Sequence, residues 1–182
     1  MIKGKREMKD IILCLISILI IAGWLLGSVT QTFAETKQYK LVLQVSKVEL
    51  LPVGDTVEHV LGIAESRGLM FVDGEVAVYT GWSVTDTIKG AGVTRGYAKE
   101  VYADGSTTIR TTQFDRVITP DGKTILLENG KGEFIRGTGR FEGIKGSLTF
   151  KGRTFTPASV GLKETRGDQV LEGTMTYTLP PK

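Results

Sequence analysis

Two neighbouring segments, which the sequence predicts to be strands of one hairpin, carry the residues best suited to chemistry. Residues 106–118 contain Arg110, Asp115 and Arg116, and the segment before them contains Glu100. An arginine can stabilise negative charge that develops during a reaction, and a carboxylate can move a proton. Arg110, Arg116, Asp115 and Glu100 are therefore our candidates for acid–base chemistry, or for orienting the polar head of a ligand.

The alternation of residues 106–118 leaves open which of these side chains lie inside. Arg110, Phe114 and Arg116 share one parity, and Asp115 and Val117 share the other. Because successive side chains of a strand point to opposite faces, polar groups enter the interior in either register. The alternative, which we favour, is that the charged residues form cross-strand pairs on a solvated outer face, where such pairs are common and weak.

Aromatic residues recur along the predicted strands, and we expect them to line a ligand cavity. The alternative is that they fill the interior and leave no cavity, because aromatic side chains often dominate cores. The candidates for ligand contact are Phe71, Tyr79, Trp82, Tyr97, Phe114 and Phe141.

Several kinds of site are not predicted. His59 is the only histidine, and residues 35–182 contain no cysteine, whereas metal sites generally need several His, Cys or carboxylate ligands. No nucleophile-elbow sequence accompanies His59, so we expect a solvated or hydrogen-bonded loop histidine. We predict no metal and no cofactor.

The most glycine-rich stretch, residues 137–155, opens with GTGRFEGIKG. The dinucleotide fingerprint needs G-x-G-x-x-G at the start of a helix, but here the third glycine comes one residue late and β-type residues follow. Glycines grouped before a strand are typical of tight bends. We therefore expect a corner of a β-structure, with Phe141 and Phe150 turned into the core.

The N-terminus is typical of a secretory signal. Lys3, Lys5, Arg6 and Lys9 precede residues 11–27, which carry no charge, and a small-x-small motif ends at Ala34. We expect cleavage after Ala34 and a periplasmic or extracellular protein, and the alternative is an uncleaved membrane anchor.

Removal of residues 1–34 takes away four basic and two acidic residues. The remaining chain then holds 19 basic and 18 acidic residues, a net charge of about +1. No basic stripe is left, so a nucleic-acid partner is not predicted.

Residues 35–182 are expected to form one all-β domain. Segments 39–51, 75–87, 95–103, 106–118, 123–128 and 168–179 have strand character, and no apolar period of 3.6 residues occurs. Turn signals lie at Asp73-Gly74, Asp104-Gly105, Thr119–Gly122 and Asn129-Gly130. This pattern predicts a single closed antiparallel barrel of about eight strands, preceded by the apolar signal helix.

Residues 137–146 resemble the G-x-G-x-F-x-x-x-x-G segment of the allene oxide cyclase and dirigent β-barrel superfamily. Residues 59–62, 68–71 and 73–77 are similar to an uncharacterised bacterial exported branch of it, and the similarity covers most of residues 39–180. The resemblance implies an eight-stranded antiparallel barrel with an apolar cavity, and a homo-oligomer. It also implies binding of a reactive small molecule whose cyclisation or coupling is guided without a cofactor. The polar pocket residues of the cyclases do not correspond to this chain position by position, so the reaction is not carried over.

Three hypotheses about function follow. The first is an exported barrel that binds an apolar or amphipathic small molecule. The second is a cofactor-independent cyclase or isomerase, in which Arg110 or Arg116 stabilises negative charge and Glu100 or Asp115 moves a proton. The third is a filled barrel with a structural or interaction role.

Overall fold

The structure is a computed structural model that describes residues 33–155 and 167–181. Apart from Phe33 and Ala34, the predicted signal segment and its helix lie outside the described residues. The strands are β1 (Glu35–Pro52), β2 (His59–Val72), β3 (Glu75–Ile88), β4 (Ala91–Tyr102), β5 (Thr107–Ile118), β6 (Ile125–Thr138), β7 (Lys145–Thr154) and β8 (Asp168–Thr178). In these ranges no helix is long and apolar enough to cross a membrane.

The eight strands form one closed antiparallel barrel. Each strand pairs with the next along the chain, and β8 pairs with β1 through a register that runs from Glu35–Tyr177 to Gln44–Asp168. Closure satisfies the backbone groups that an open sheet would leave exposed at its edges. The predicted all-β closed antiparallel barrel is therefore confirmed.

Strand alternation separates the interior from the outer face. In β1, Leu41 and Leu43 are buried, and in β8 Leu171, Met175 and Tyr177 are buried. Within each strand these residues lie on one face, as the period of two predicts. In β3, by contrast, the face that carries Trp82 points outward, and the face that carries Ala77 points inward.

The connections follow the predicted turns in most places. Asp73 and Gly74 join β2 to β3 with φ of 52° and 79°, the left-handed pair of a tight hairpin. Gly122 donates its backbone N–H to the carbonyl of Thr119 at 2.8 Å in the β5–β6 connection.

The predicted turn at Asn129-Gly130 is wrong, because these residues lie inside β6. The register of β6 shifts there against both β5 and β7, and Asn129 has φ of 51°. The Asn-Gly pair thus accommodates a β-bulge, which bends a strand without ending it. The predicted short strand 123–128 is consequently only the start of a longer one.

One end of the barrel is filled by aromatic side chains, and we call it the Phe141 end. A 3-10 turn, η1 (Gly139–Phe141), follows β6 and turns Phe141 inward, where its ring lies 4.7 Å from the ring of Tyr102 and 6.3 Å from that of Tyr177. Phe150 is also buried, so Phe141 and Phe150 both lie in the core, as predicted, whereas Phe155 at the end of the glycine-rich stretch is exposed.

Candidate ligand-binding site

A buried ion pair lies on the inner face of β4 and β5. Glu100 is 0% exposed and Arg110 is 2% exposed, and the Nε atom of Arg110 donates to Oε1 of Glu100 at 2.8 Å. Thr108 donates its hydroxyl to the other carboxylate oxygen at 2.6 Å. In the register, Glu100 is opposite Thr108 and Ala98 is opposite Arg110, so the three polar side chains share the inward parity. The favoured expectation of solvated outer pairs is wrong for Glu100 and Arg110.

A cavity of about 70 Å³ lies next to this pair. One part of its wall is apolar and is formed by Leu41, Leu43, Val45, Phe114, Phe150 and Leu171. Another part carries hydroxyl groups, from Ser66, Ser83, Thr85, Thr94 and Thr112. The wall is therefore amphipathic.

The cavity volume limits what can be enclosed. A dry engineered cavity of about 150 Å³ binds benzene, and one water needs about 10–15 Å³. A cavity of about 70 Å³ thus encloses a group of only a few heavy atoms. A larger ligand would have only its head in this space.

Two hydrogen-bond donors on the cavity wall are unused. The hydroxyl of Tyr39 and Nη1 of Arg110 are buried, and neither has a hydrogen-bond partner among the described residues. A buried polar group without a partner costs free energy, so such atoms mark places where a ligand or water belongs. Both atoms belong to side chains that border the cavity.

Gly173 sets the position of the Tyr39 ring. It is opposite Tyr39 in the β1–β8 register, and a Cβ atom on Gly173 would lie 2.8 Å from the Cε1 and Cζ atoms of that ring. The ring therefore lies flat over a residue without a side chain. This packing keeps the Tyr39 hydroxyl inside the barrel.

The protonation states make these groups donors. Burial raises the pKa of Tyr39, and it raises the pKa of Tyr79 to about 12, so both hydroxyls stay neutral near pH 7. For Arg110, burial alone would lower the pKa, but the charge and the hydrogen bond of Glu100 act in the opposite direction, and the pKa is raised. The cavity wall therefore carries a cation and neutral O–H groups.

The other charged candidates lie apart from this pair. Arg116 has the inward parity and lines the cavity; its Nε atom donates to the carbonyl of Gly90 at 3.3 Å, and burial lowers its pKa. Asp115 has the opposite parity and accepts a hydrogen bond from the Asn129 side chain at 2.7 Å. The structure brings Glu100 and Arg110 together, adds Arg116 farther along β5, and leaves Asp115 out.

The aromatic candidates divide into three groups. Tyr79 and Phe114 line the cavity. Trp82 and Tyr97 also border it, although they are 46% and 56% exposed because they have the outward parity of their strands.

Phe71 and Phe141 are not among the residues around this cavity. Phe71 is 42% exposed, because its neighbours Met70 and Val72 take the inward positions of β2. Phe141 is buried, but it packs at the Phe141 end against Tyr102 and Tyr177. Neither residue therefore lines this cavity.

Sequence reasoning missed Tyr39, Thr108 and the hydroxyl residues of the wall. Tyr39 shares a parity with Leu41 and Leu43, so its inward direction could have been deduced from β1 alone. The hydroxyl residues of β3 carried a misleading signal, because the more apolar parity of this strand, with Val76, Val78 and Trp82, is the one that faces outward.

His59 makes two hydrogen bonds at the other end of the barrel. Its Nδ1 atom lies 2.5 Å from Asp55 and its Nε2 atom 2.9 Å from Asp86. The expected hydrogen bonding of His59 is confirmed, but the expected loop position is wrong, because His59 is the first residue of β2. Within residues 33–155 and 167–181, no group of three or more His, Cys, Asp or Glu side chains has the arrangement of a metal site.

Comparison with protein-family models gives no match for this chain, and comparison with curated proteins gives none either.

Proposed function

We propose that this chain is a small exported barrel that binds an apolar or amphipathic small molecule in its cavity. The observation that carries the proposal is a pair of buried donors without a hydrogen-bond partner, the Tyr39 hydroxyl and Arg110 Nη1, on side chains that line the cavity. Binding sites of this kind are mostly apolar and contain a few well-placed polar groups that orient the ligand. The cavity wall combines apolar side chains from β1, β5, β7 and β8 with hydroxyl groups from β2 to β5, which supports an amphipathic ligand.

The resemblance to the allene oxide cyclase and dirigent superfamily belongs to this proposal, as do export and a homo-oligomer. The closed eight-stranded antiparallel barrel supports the resemblance at the level of fold. Export rests on the pattern of residues 1–34, and sequencing the N-terminus of the protein recovered from its host tests it.

Native mass spectrometry of the protein purified from its own host tests the binding function. We expect a mass increment from a retained small molecule, and the same spectrum gives the number of subunits. Ser83→Leu, which fills the cavity from β3, should abolish the increment, whereas Thr80→Leu on the outward parity of β3 should keep it. Protein without any bound molecule, also after incubation with an extract of the host, would instead support a structural barrel.

A second candidate function is a cofactor-independent cyclase or isomerase. The observation that favours it is the Glu100–Arg110 pair beside the cavity, because a buried arginine can stabilise developing negative charge. Both carboxylate oxygens of Glu100 already accept hydrogen bonds, so proton transfer would require one of them to be released. Binding is therefore the better-supported function.

If a retained molecule is found, turnover of its precursors separates the two functions. Under the cyclase hypothesis, Glu100→Gln should lose turnover and still bind, while Asp115→Asn, a matched amide substitution outside the cavity, should keep both. Equal turnover in Glu100→Gln and the native protein would reject a catalytic role for Glu100.

A further inference from the structure

We infer that the part of the cavity beside Arg110 takes an uncharged oxygen acceptor, such as a ketone, aldehyde, ester or ether oxygen, and not a carboxylate. The inference rests on the proposed binding function and specifies the chemical class of the ligand's head.

The atoms without partners on Tyr39 and Arg110 can only be paired with certain ligand atoms. The Tyr39 hydroxyl is neutral and Arg110 has only N–H groups, so both unpartnered atoms are donors on side chains that line the cavity. The nearest carboxylate, Glu100, has both oxygens occupied by Arg110 and Thr108. A ligand atom that pairs with either donor therefore has to accept a hydrogen bond, which selects an oxygen with free lone pairs.

The charges of Glu100 and Arg110 also decide which head group can bind. Glu100 and Arg110 are both fully buried and neutralise each other. A ligand carboxylate at Arg110 would share one guanidinium with Glu100 and would leave an uncompensated negative charge in a low-dielectric interior. Like charges in one buried site disfavour ionisation of both, so the anion is rejected where the neutral oxygen is accepted.

The cavity wall carries a second cation, Arg116. Arg116 is six residues from Arg110 on the same face of β5, about 20 Å along an extended strand. The surroundings of Arg116 are therefore separate from those of the Glu100–Arg110 pair. A carboxylate that enters the barrel is therefore expected to lie near Arg116 and not beside Arg110.

Two probes of the same shape test the inference. In 2-nonanone a methyl group replaces the charged oxygen of octanoate, and the two molecules have the same hydrocarbon tail. Each is titrated into the isotope-labelled protein recovered from its host, and NMR follows the ring signals of Tyr39 and the side-chain N–H signals of Arg110 and Arg116. We expect 2-nonanone to shift the Tyr39 and Arg110 signals and to bind there at least tenfold more tightly than octanoate.

Variants complete the test. Tyr39→Phe removes one donor and keeps the ring over Gly173, so it should weaken binding of 2-nonanone about fivefold to tenfold. Tyr177→Phe is the matched control, because the Tyr177 hydroxyl bonds to Glu35 at 3.1 Å and does not border the cavity. It should leave the affinity unchanged.

The outcomes distinguish this inference from the proposed function. Octanoate that shifts Arg110 and binds as tightly as the ketone overturns the inference and leaves the binding function intact. An affinity for 2-nonanone that Tyr39→Phe does not change also overturns it. If neither probe shifts any signal of a cavity residue, the inference is rejected, and the native mass spectrum decides the binding function separately.

Discussion

Arg110 keeps its charge inside the barrel because Glu100 lies 2.8 Å away and is itself held by Thr108. An arrangement of this kind depends on both partners. Replacing one of them leaves an unpaired buried charge, whereas replacing both removes the need for pairing.

We therefore expect Arg110→Met to lower the free energy of unfolding by about 3–5 kcal/mol, since it strands the Glu100 carboxylate. The double variant Glu100→Gln/Arg110→Met should be more stable than Arg110→Met alone. Urea unfolding measures the free energy of unfolding of the single and the double variant. Arg67→Met is the control, because its 2.9 Å pair with Glu65 is on the outer face and should contribute at most about 1 kcal/mol. A double variant less stable than the single one would contradict a paired, buried charge.

His59 links stability to pH. Its hydrogen bonds with Asp86 and Asp55 raise its pKa above the unfolded value of about 6.5. A raised folded pKa means that the protonated form stabilises the fold at low pH and that this contribution is lost as the pH rises through the folded pKa. We expect the free energy of unfolding to fall between pH 6.5 and the folded pKa of His59, and His59→Gln to remove that slope. A slope of equal size in the variant would assign it to another group.

At the level of single residues, the sequence supports the composition of the site but not its arrangement. Arg110 and Glu100 were candidates because arginine can stabilise negative charge and a carboxylate can move a proton, but the favoured expectation placed them on the outer face. Their pairing depends on the β4–β5 register and on closure of the barrel, and neither is encoded in the alternation of one strand. Tyr39 comes from the far end of the chain, so only the folded barrel brings it to Arg110.

Among the elements, β6 departs most from a simple alternation. Asn129 adopts a left-handed conformation inside the strand and donates to Asp115 on β5. The next residue, Gly130, has no side chain, and a Cβ there would lie 2.4 Å from the Phe150 ring that lines the cavity. The bulge therefore sets both the bend of β6 and the position of one wall residue.

We expect Asn129→Ala to destabilise the protein by about 1–2 kcal/mol, because alanine resists the left-handed region. Asn129→Gly should be close to the native stability, because glycine adopts that conformation freely and only the bond to Asp115 is lost. Thermal or urea unfolding of the two variants decides the point. Equal stability of the alanine and glycine variants would mean that the backbone conformation does not matter here.

The same dipeptide explains why one turn prediction failed. Asn-Gly is the strongest short hairpin signal because both residues tolerate positive φ, and a bulge uses the same conformational property. Local sequence cannot distinguish the two uses. Pairing of β6 with β5 and β7 on both sides of the bulge decides between them.

At the scale of the molecule, the described strands belong to one hydrogen-bonded sheet. Number, type and closure of the strands were predictable, because hairpin signals recur along the chain and closure removes edges. The register was not, because it depends on contacts between β1 and β8 that are far apart in sequence.

A single closed sheet should unfold in one step. Trp82 is the only tryptophan in residues 33–182, so its fluorescence reports on β3, while far-ultraviolet circular dichroism reports on all strands. We expect the two signals to give the same urea midpoint in protein that lacks residues 1–34. Two separated midpoints would indicate that part of the barrel opens independently.

The pairing of Glu35 with Tyr177 has a further consequence for how the gene could be rearranged. Because the first and last strands are neighbours, the two ends of the barrel sequence emerge at the same place. A short linker should join them, and new ends could be opened at the Asp73-Gly74 hairpin without breaking a strand. Such a circular permutant is expected to keep the barrel, and with it the Tyr39–Arg110 site, so the order of the strands along the chain is less important than their order around the ring.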